Sequence, residues 1–359
     1  MNSIYVLNQS LTLQGIVDEF ESLIWRPSYA DVGDFEIYVK ASGNNLKLLQ
    51  KDFYVVRGSD ISVNNGVTTY KSVMVIKNIK LTTDVENGDY LTVTGRELKF
   101  LLHQRIVWKQ TNLQSNTEYA IRRLITENAI SPTDSKRVIP NLVLGASSGL
   151  TDTINKQVTG AYLDEVVSEI CNAYGYGWDV YITDGKFTVK VYQGLDKSYA
   201  QFDRPYVIFS EYYDNLYNTE YELNTESYAT TTLIAGEGEG NERVTTTVGE
   251  SYSGLDRYEV FTDARDISQN KDTEDEITLS DYLLLLQEKG VETLSSLVMT
   301  EGFTGEVLSD VTFKWREDFD LGDIVTVISQ YGLSKNVRVT SAIESEDANG
   351  VKLLPVFNL

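Results

Sequence analysis

The sequence predicts an α+β protein built mainly from antiparallel strands. Three observations indicate this: strand-like runs dominate both ends of the 359-residue chain, turn dipeptides separate several of these runs, and three helical patterns interrupt them. Apolar residues make up 42% of the chain, which is enough for a packed interior. A chain of this length is expected to contain two to four domains.

The first hundred residues and the end of the chain are predicted to be strands. The early runs cover 35–39, 53–57, 72–81 and 90–94, and the late runs cover 323–328, 337–343 and 351–357. All are rich in β-branched and aromatic residues, which fit a pleated, half-buried surface. Their lengths and spacing fit antiparallel barrels or sandwiches.

Four dipeptides with turn chemistry sit between strand-like runs: Asn65-Gly66, Asn87-Gly88, Asp184-Gly185 and Asn349-Gly350. Such pairs favour the positive φ angles of a type I′ hairpin turn. The pair at 184 is the clearest, because apolar and polar residues alternate over 178–183 and again over 186–191. This period of two predicts a half-buried antiparallel hairpin.

Three helices are predicted in the remaining chain. Residues 115–118, Ser-Asn-Thr-Glu, read as a capping box for the first helix. The second is expected to end at Gly175, and the third to begin after Thr278, with Gly290 weakening its middle by ~1 kcal/mol. The apolar stripes of the three helices are, in order, Ile121, Leu124, Ile125 and Ala129; Leu163, Val166, Val167, Ile170 and Tyr174; and Leu283, Leu286, Leu294 and Leu297.

Charge excludes some partners. Asp and Glu total 53 against 31 Lys and Arg, a formal net charge of −22. Such a surface repels duplex DNA and anionic lipid, so specific nucleic-acid binding through a basic patch is not expected. Residues 1–14 have neither a basic start nor an apolar run, and the longest aliphatic run is only 283–286. We therefore predict no signal peptide, no membrane insertion and synthesis in a cytoplasm.

Candidate catalytic side chains are few. His103 and Cys171 are the only residues of their types, so an intrachain disulfide and a cysteine metal cluster are excluded. A Cys/His pair would require the fold to join these two positions. Cys171 lies on the apolar side of a helical pattern and is predicted to be a core residue. His103 is not accompanied by a Gly-x-Ser-x-Gly elbow.

Two further patterns could indicate ligand-binding sites, one for phosphate and one for a metal ion. The glycine-rich segment 236–240 could cradle a phosphate, but glutamates interleave its glycines and a strand-like run follows, so a surface loop is predicted. The acidic groups Asp318, Asp320, Asp323 and Asp272, Glu274, Asp275, Glu276 lack the calcium-loop pattern, and solvated loops are expected, with 263–276 as a linker. Paired carboxylates of a glycosidase stay conceivable, because sequence spacing cannot show two carboxyls facing one cleft. We assign no catalytic, cofactor-binding or metal-ligating residue and expect no cofactor.

Tyrosine is abundant, with 23 residues in the chain. Five of them crowd one region: Tyr212, Tyr213, Tyr217, Tyr221 and Tyr228. Tyrosine favours protein interfaces because it combines apolar area with a polar tip. Ordinary sheet composition explains the cluster equally well, and stacking on carbohydrate is a third interpretation.

Several segments together resemble the hub proteins at the tip of phage tails, a family of tail-associated and prophage tail proteins. The resemblance rests on the order and spacing of segments that are individually unspecific. They are 25–39, WRPSYADVGDFEIYV; 94–98, TGREL, with Leu101-Leu102 and Arg105; 139–145, IPNLVLG; 235–243, AGEGEGNER; and 320–327, DLGDIVTV.

The resemblance implies a hub-type fold with two barrel-like β domains and smaller α+β insertions. The expected division is 1–108, an N-terminal barrel-like hub domain; 109–200, an α+β insertion; 201–262 with 303–359, a second barrel-like domain; and 263–302, an acidic loop and helix. Gly95 would end a strand before a helix-like 98–102, and Gly322-Asp323 would form a tight turn.

The resemblance also implies a non-enzymatic structural subunit of a virion tail tip or baseplate. Three copies would form a ring that closes the tail tube and lets DNA pass. Its partners would be distal-tail or tail-tube ring proteins, the tape-measure protein and possible fibre or receptor-binding proteins. Many relatives continue into a peptidase, lysin or fibre region, and this chain stops at Leu359, so their wall-degrading activity is not expected here. The alternatives are a tail-associated peptidase or glycosidase and a host-surface carbohydrate-binding module.

Overall fold

The computed structural model describes residues 3–86, 88–271, 276–307, 312–329 and 331–358. Strands make up 42% of the structure and helices 21%, and most strand pairs are antiparallel. The predicted α+β class, dominated by antiparallel β, is confirmed.

The first hundred residues form nine strands and one short helix. They are β1 (Ile4–Leu7), β2 (Leu13–Val17), β3 (Ser22–Arg26), β4 (Asp34–Lys40), α1 (Gly43–Leu48), β5 (Tyr54–Arg57), β6 (Ile61–Asn64), β7 (Val67–Tyr70), β8 (Met74–Thr82) and β9 (Tyr90–Glu97). Seven of the strands pair in the antiparallel order β3-β4-β9-β8-β5-β1-β2. Trp25, Phe35 and Ile37 are buried in the core of this N-terminal half, because alternate residues of each strand face inward.

The middle of the chain forms an α+β insertion. Its elements are β10 (Thr111–Asn116), α2 (Thr117–Ile125), β11 (Leu142–Leu144), β12 (Thr153–Val158), α3 (Leu163–Tyr174), β13 (Gly177–Thr183) and β14 (Lys186–Tyr192). A five-stranded sheet has the order β11-β14-β13-β7-β6, and β10 pairs with β12. Helices α2 and α3 bury their apolar stripes in one core together with Trp178.

The rest of the chain forms a C-terminal half and a small separate sheet. Its elements are β15 (Ile208–Ser210), β16 (Leu216–Asn224), β17 (Thr231–Ala235), β18 (Thr245–Val248), β19 (Glu259–Asp263), α4 (Leu279–Ser296), β20 (Thr300–Val307), β21 (Ile324–Ile328), β22 (Ser334–Asp347) and β23 (Gly350–Asn358). The order β16-β20-β23-β22 continues through β22 into β3, and β15 and β21 pair beside β22. The two β halves therefore share one 13-stranded sheet.

The expected domain division stays a proposal, and sheet membership differs from it in two details. The β6–β7 hairpin, which lies within 1–108, pairs with β13 of the insertion. Strands β17, β18 and β19 form their own three-stranded sheet, and α4 packs on it. We therefore propose that 231–263 and α4 belong to one unit. Within the described residues, no helix combines the length and the apolar character needed to cross a membrane.

Two of the four predicted hairpin turns are confirmed. Asn65-Gly66 and Asp184-Gly185 connect paired strands, and all four residues have positive φ. The type I′ prediction is wrong at 349–350: Asp347 pairs with Gly350, so the two loop residues are 348 and 349, and only the glycine has positive φ. Asn87 lies outside the described residues.

The predicted capping box of the first helix is wrong. Asn116 is the N-cap of α2, and its side chain accepts a hydrogen bond from the Tyr119 backbone N–H at 3.1 Å. The Glu118 carboxylate instead accepts from the backbone N–H groups of Ser148 and Leu150, at 2.8 and 3.1 Å. The Glu118 carboxylate, which the capping box would have used, therefore binds the loop around 148–150 instead.

The second predicted helix ends, and the third begins, as predicted. Gly175 closes α3 in the left-handed conformation, and Thr278 caps α4. The predicted face of the third helix is confirmed only at Leu286: Tyr282, Leu285, Leu286 and Gly290 are buried, whereas Leu283, Leu294 and Leu297 are half-buried. A Cβ on Gly290 would lie 2.6 Å from Ile234, so this glycine allows α4 to approach the sheet closely.

Candidate functional site

The lone histidine is engaged in a structural contact. His103 stacks between Phe100 and Tyr162, with ring centroids 4.5 and 4.0 Å apart, and its Nδ1 lies 3.0 Å from an Asp164 oxygen. Burial raises the pKa of Asp164, while the hydrogen-bonded histidine opposes that shift. An aspartate hydrogen-bonded in this way can orient an imidazole. Here the histidine ring, stacked between two aromatic rings, fixes the start of α3 against the 3₁₀-helical segment Leu98–Gln104.

The lone cysteine is a core residue, as predicted. Cys171 lies on α3 with no exposed surface, and burial raises the pKa of its thiol. A thiolate nucleophile requires the opposite shift and some exposure. The imidazole of His103 contacts Asp164 rather than this thiol.

The glycine-rich segment 236–240 is a loop between β17 and β18 that contains a single 3₁₀ turn. A Cβ on Gly236 would lie 2.1 Å from the Tyr282 hydroxyl oxygen, which accepts a hydrogen bond from the Glu237 N–H at 2.8 Å. The Glu237 carboxylate accepts from Ser268 and Gln269, both at 3.0 Å. The backbone and the Glu237 side chain of this loop thus hydrogen-bond to α4 and to residues 268–269.

The acidic group near residue 320 is tied into the fold. Asp323 is buried, pairs with Lys197 at 2.8 Å and accepts the Leu195 N–H at 2.8 Å. Asp318 accepts the Lys314 N–H at 2.8 Å. These contacts hold the turn before β21. The second acidic group, 272–276, lies outside the described residues except for Glu276.

Most of the clustered tyrosines are exposed. Tyr212 and Tyr213 expose 68% and 59% of their surface, and Tyr217 and Tyr221 more than a third. Tyr228 packs against Tyr258 with ring centroids 5.4 Å apart. Because four of these tyrosines keep more than a third of their surface exposed, an interface interpretation stays a prediction.

Three of the segments that carry the family resemblance, 25–39, 94–98 and 320–327, meet at the place where the two β halves and the insertion come together. We call this place the junction and define it by Tyr29, Arg57, Asp60, Arg316 and Glu344. It lies where β22 pairs with β3, with Glu344 opposite Trp25.

Four charged side chains form the polar part of the junction. Arg57 binds Asp60 at 2.8 Å and Glu344 at 2.6 Å, and Arg316 contacts both carboxylates. Arg57 and Asp60 come from the N-terminal half, and Arg316 and Glu344 from the C-terminal half. Burial would raise the pKa of Glu344, but the charges of Arg57 and Arg316 outweigh it and lower this pKa. Two positive and two negative groups thus compensate each other in a largely buried cluster, in which Arg316 is 26% exposed in its side chain.

Tyr29 forms the apolar part of the junction. Its ring lies where a Cβ on Gly177 or on Gly322 would stand 2.1 Å away, so only glycine fits at these two positions. Its hydroxyl accepts the Gly194 N–H at 3.0 Å, and its backbone N–H donates to the Thr340 carbonyl at 2.8 Å. One side chain therefore contacts the insertion and the C-terminal half together.

A buried lysine holds the loop that carries Tyr29. Lys99 donates to the carbonyl oxygens of Ser28 and Asp31, at 2.5 and 3.0 Å, and lies 3.3 Å from Glu97. The Glu97 carboxylate accepts the Gly33 N–H at 3.0 Å. Within the Gly-Arg-Glu-Leu segment, Glu97 therefore helps to hold the loop that carries Tyr29. Gly95 lies inside β9 rather than at its end, so that expectation is wrong.

Sequence reasoning missed the four charges of the junction. Arg57 and Asp60 are three residues apart, but Arg316 and Glu344 follow more than 250 residues later. Strand spacing contains no signal that such distant charges meet. The sequence offered one hint of a buried ion pair. Arg57 ends β5, a strand of which all four residues are buried, and a charged residue in such a strand needs a buried counter-charge.

The fold is that of phage tail proteins. It is similar to the tail protein from Neisseria meningitidis MC58, with a TM-score of 0.60 and 12% identity over 100% of this chain and 96% of that one. It is also similar to the 43 kDa tail protein of prophage MuSo2 from Shewanella oneidensis, with a TM-score of 0.57 and 11% identity over 99% and 98% of the chains. Prophage tail protein gp18 from Listeria monocytogenes EGD-e matches with a TM-score of 0.50 and 12% identity over 99% and 94%.

The sequence supports the same class. The family model described as Siphovirus ReqiPepy6 Gp37-like protein matches residues 3–357. The chain belongs to this siphovirus tail protein family. No curated protein matches the chain significantly.

Proposed function

We propose that the chain is the structural hub subunit of a phage or phage-like tail tip, and that three copies form a ring that closes the tail tube and lets DNA pass. The observation that carries this is the fold shared end to end with prophage tail proteins. The junction supports it, because buried charges and Tyr29 hold the β halves as one rigid block. Closed cyclic assembly lets such a block build an annulus.

The proposed partners are the ring proteins of the distal tail or tail tube, the tape-measure protein and fibre or receptor-binding proteins. The exposed tyrosines 212, 213, 217 and 221 are a candidate contact surface for them or for a second copy. An acidic wall around the DNA passage is a related proposal, since a basic wall would hold phosphates by counterion release. The alternative is that the negative charge lies on the outer surface.

Native mass spectrometry over a concentration series tests the ring. We expect a trimer at high concentration or on addition of the distal-tail ring. Tyr213→Ser should raise the trimer dissociation constant about tenfold, roughly 1.4 kcal/mol, if the tyrosine cluster is the interface. Tyr331→Ser, an exposed tyrosine outside the cluster, is the control. A strict monomer at every concentration, with no trimer in assembled tails, would refute the ring.

We also propose that the chain is not an enzyme. Cys171 is buried with a raised pKa, and His103 is sandwiched between two rings. Purified cell walls, peptides and glycans incubated with the chain should release no products. Product release that is lost on substitution of Cys171 or of a single carboxylate would instead support a tail-associated hydrolase.

A further inference from the structure

A cleft of about 500 Å³ opens beside the end of α2, away from the junction. It lies between the chain that leads into β10 and the loop 131–137. Its volume falls within the range of about 300–1,000 Å³ typical of small-molecule sites. None of its lining residues belongs to the junction or to the tyrosine cluster.

An exposed indole forms one wall of this cleft. Trp108 exposes 64% of its surface, whereas Trp25 and Trp178 are fully buried. The Arg137 guanidinium lies 4.9 Å from the centroid of the Trp108 ring and covers part of it. Arg137 is itself held by the Ile106 carbonyl at 2.7 Å. The indole is therefore a supported platform rather than a loose surface side chain.

A π-helical turn also lines the cleft. The turn Thr126–Ile130 brings Glu127 and Asn128 to the cleft, and such turns occur frequently at functional sites. Asn128 is 4% exposed, and its side-chain oxygen accepts a hydrogen bond from the Trp108 backbone N–H at 3.1 Å. The turn thus fixes the backbone that carries the indole.

The remaining groups of the cleft are hydroxyl-rich and balanced in charge. Thr133 and Asp134 line it from the loop 131–137, and the positive Lys109 and Arg137 face the negative Glu127 and Asp134. Glu127 is also paired with Arg123 at 2.7 Å. A single aromatic wall with this polar rim suits neither a purely apolar ligand nor a highly charged one.

We propose that this cleft binds a neutral pyranose unit of an oligosaccharide. The apolar C–H face of the sugar packs on the exposed part of the Trp108 indole. Its hydroxyls both donate and accept, which matches the mixed hydroxyl, ammonium and carboxylate groups of the rim. The net charge of −22 disfavours an anionic glycan through long-range repulsion. This proposal does not depend on the ring.

Tryptophan fluorescence of the full chain tests the proposal, because Trp108 is the exposed indole among the four tryptophans and Trp315 is half-buried. The probes are neutral oligosaccharides of glucose, galactose, mannose, rhamnose and N-acetylglucosamine, screened first on a glycan array and then titrated free in solution. We expect at least one to bind saturably and to shift the tryptophan emission.

Three variants decide the outcome, each with folding checked by circular dichroism. Trp108→Ala should lose array binding at least tenfold, and Thr133→Val should weaken it severalfold. Tyr331→Ala, which removes an aromatic ring 86% exposed elsewhere, should bind as the natural chain does. The proposal is overturned if no neutral oligosaccharide binds, if Trp108→Ala and Tyr331→Ala bind equally, or if the cleft responds only to charged glycans or to a protein partner.

Discussion

Single glycines determine how closely backbone segments approach in this protein. Gly95 on β9 faces the Val75 carbonyl oxygen, which would lie 1.9 Å from a Cβ at this position, and the Phe35 ring, at 2.7 Å. The β8–β9 register shifts between Ile76 and Asn78, next to the residue paired with Gly95. Gly95 therefore allows β8 and β9 to pair irregularly at a position where a backbone oxygen and an aromatic ring leave no room for a Cβ.

Gly95→Ala should destabilise the chain by about 3 kcal/mol, because a backbone oxygen cannot move aside as a flexible side chain can. Gly43→Ala is the control: this glycine begins α1 with no atom within 4 Å of its Cβ position, and the change should be neutral or stabilising by up to about 1 kcal/mol. Chemical denaturation followed by near-ultraviolet circular dichroism measures both. Equal midpoints for the two variants would contradict this account.

The cap of α2 gives a second test at single residues. Asn116→Ala should lose about 1 kcal/mol, since its side chain satisfies a free N–H of the first turn. Ser115→Ala should lose much less, because the Ser115 hydroxyl donates only to the Asn116 carbonyl at 3.2 Å. Thermal unfolding distinguishes the two, and a larger loss for Ser115→Ala would restore the capping box.

At the scale of elements, α4 joins its three-stranded sheet to the insertion. Gly290 and Tyr282 pack on the sheet, while Lys156 of β12 binds Glu169 of α3 at 2.9 Å and also Glu292 of α4. The pKa of Glu169 is raised mainly by burial and, to a smaller extent, by the hydrogen bond with Glu292. Burial opposes ionisation of Glu292 too, but the contacts with Glu169 and Lys156 lower its pKa. One lysine therefore holds two carboxyls together.

Lys156→Met should loosen the contact between α3 and α4 at neutral pH by about 1–2 kcal/mol, because Glu169 loses its cation and Glu292 keeps only Lys289, at 3.3 Å. The loss should shrink toward pH 5, since one carboxyl of the variant can then take up a proton and relieve the repulsion. Hydrogen exchange of α4 amides at both pH values measures it. Lys314→Met, from an exposed pair with Glu317, is the control. Unchanged α4 exchange in Lys156→Met would refute the role of this lysine.

At the scale of the whole molecule, the junction joins the two β halves through compensated charges. Arg57 and Asp60 are almost completely buried, and Glu344 is 16% exposed in its side chain. A buried pair of this kind adds modest net stability, but removing one partner leaves the other charge uncompensated. The junction therefore favours this one arrangement of the halves over others.

Glu344→Gln should destabilise the chain by about 3 kcal/mol at pH 7, whereas Glu317→Gln, in an exposed pair, should change stability by less than about 0.5 kcal/mol. The pKa of Glu344 is lowered in the folded chain, so its contribution is complete above the unfolded value of about 4.3 and is lost as the pH falls through the folded value. Denaturation between pH 7 and pH 3 should show this acid-dependent loss in the natural chain and a smaller one in Glu344→Gln. The same loss in both would contradict the assignment.

The sequence by itself determined the antiparallel class, the hairpin at Asp184-Gly185, three of the four α-helices that the structure describes and the burial of Cys171. These features depend on periodicity and turn chemistry, which are local and therefore visible in neighbouring residues. Only the tertiary structure decided the buried face of α4, the use of the Glu118 carboxylate outside the predicted capping box and the meeting of Arg57 with Arg316 and Glu344. Their partners lie far along the chain, and the free energy of such contacts depends on which surfaces the fold brings together rather than on local preference.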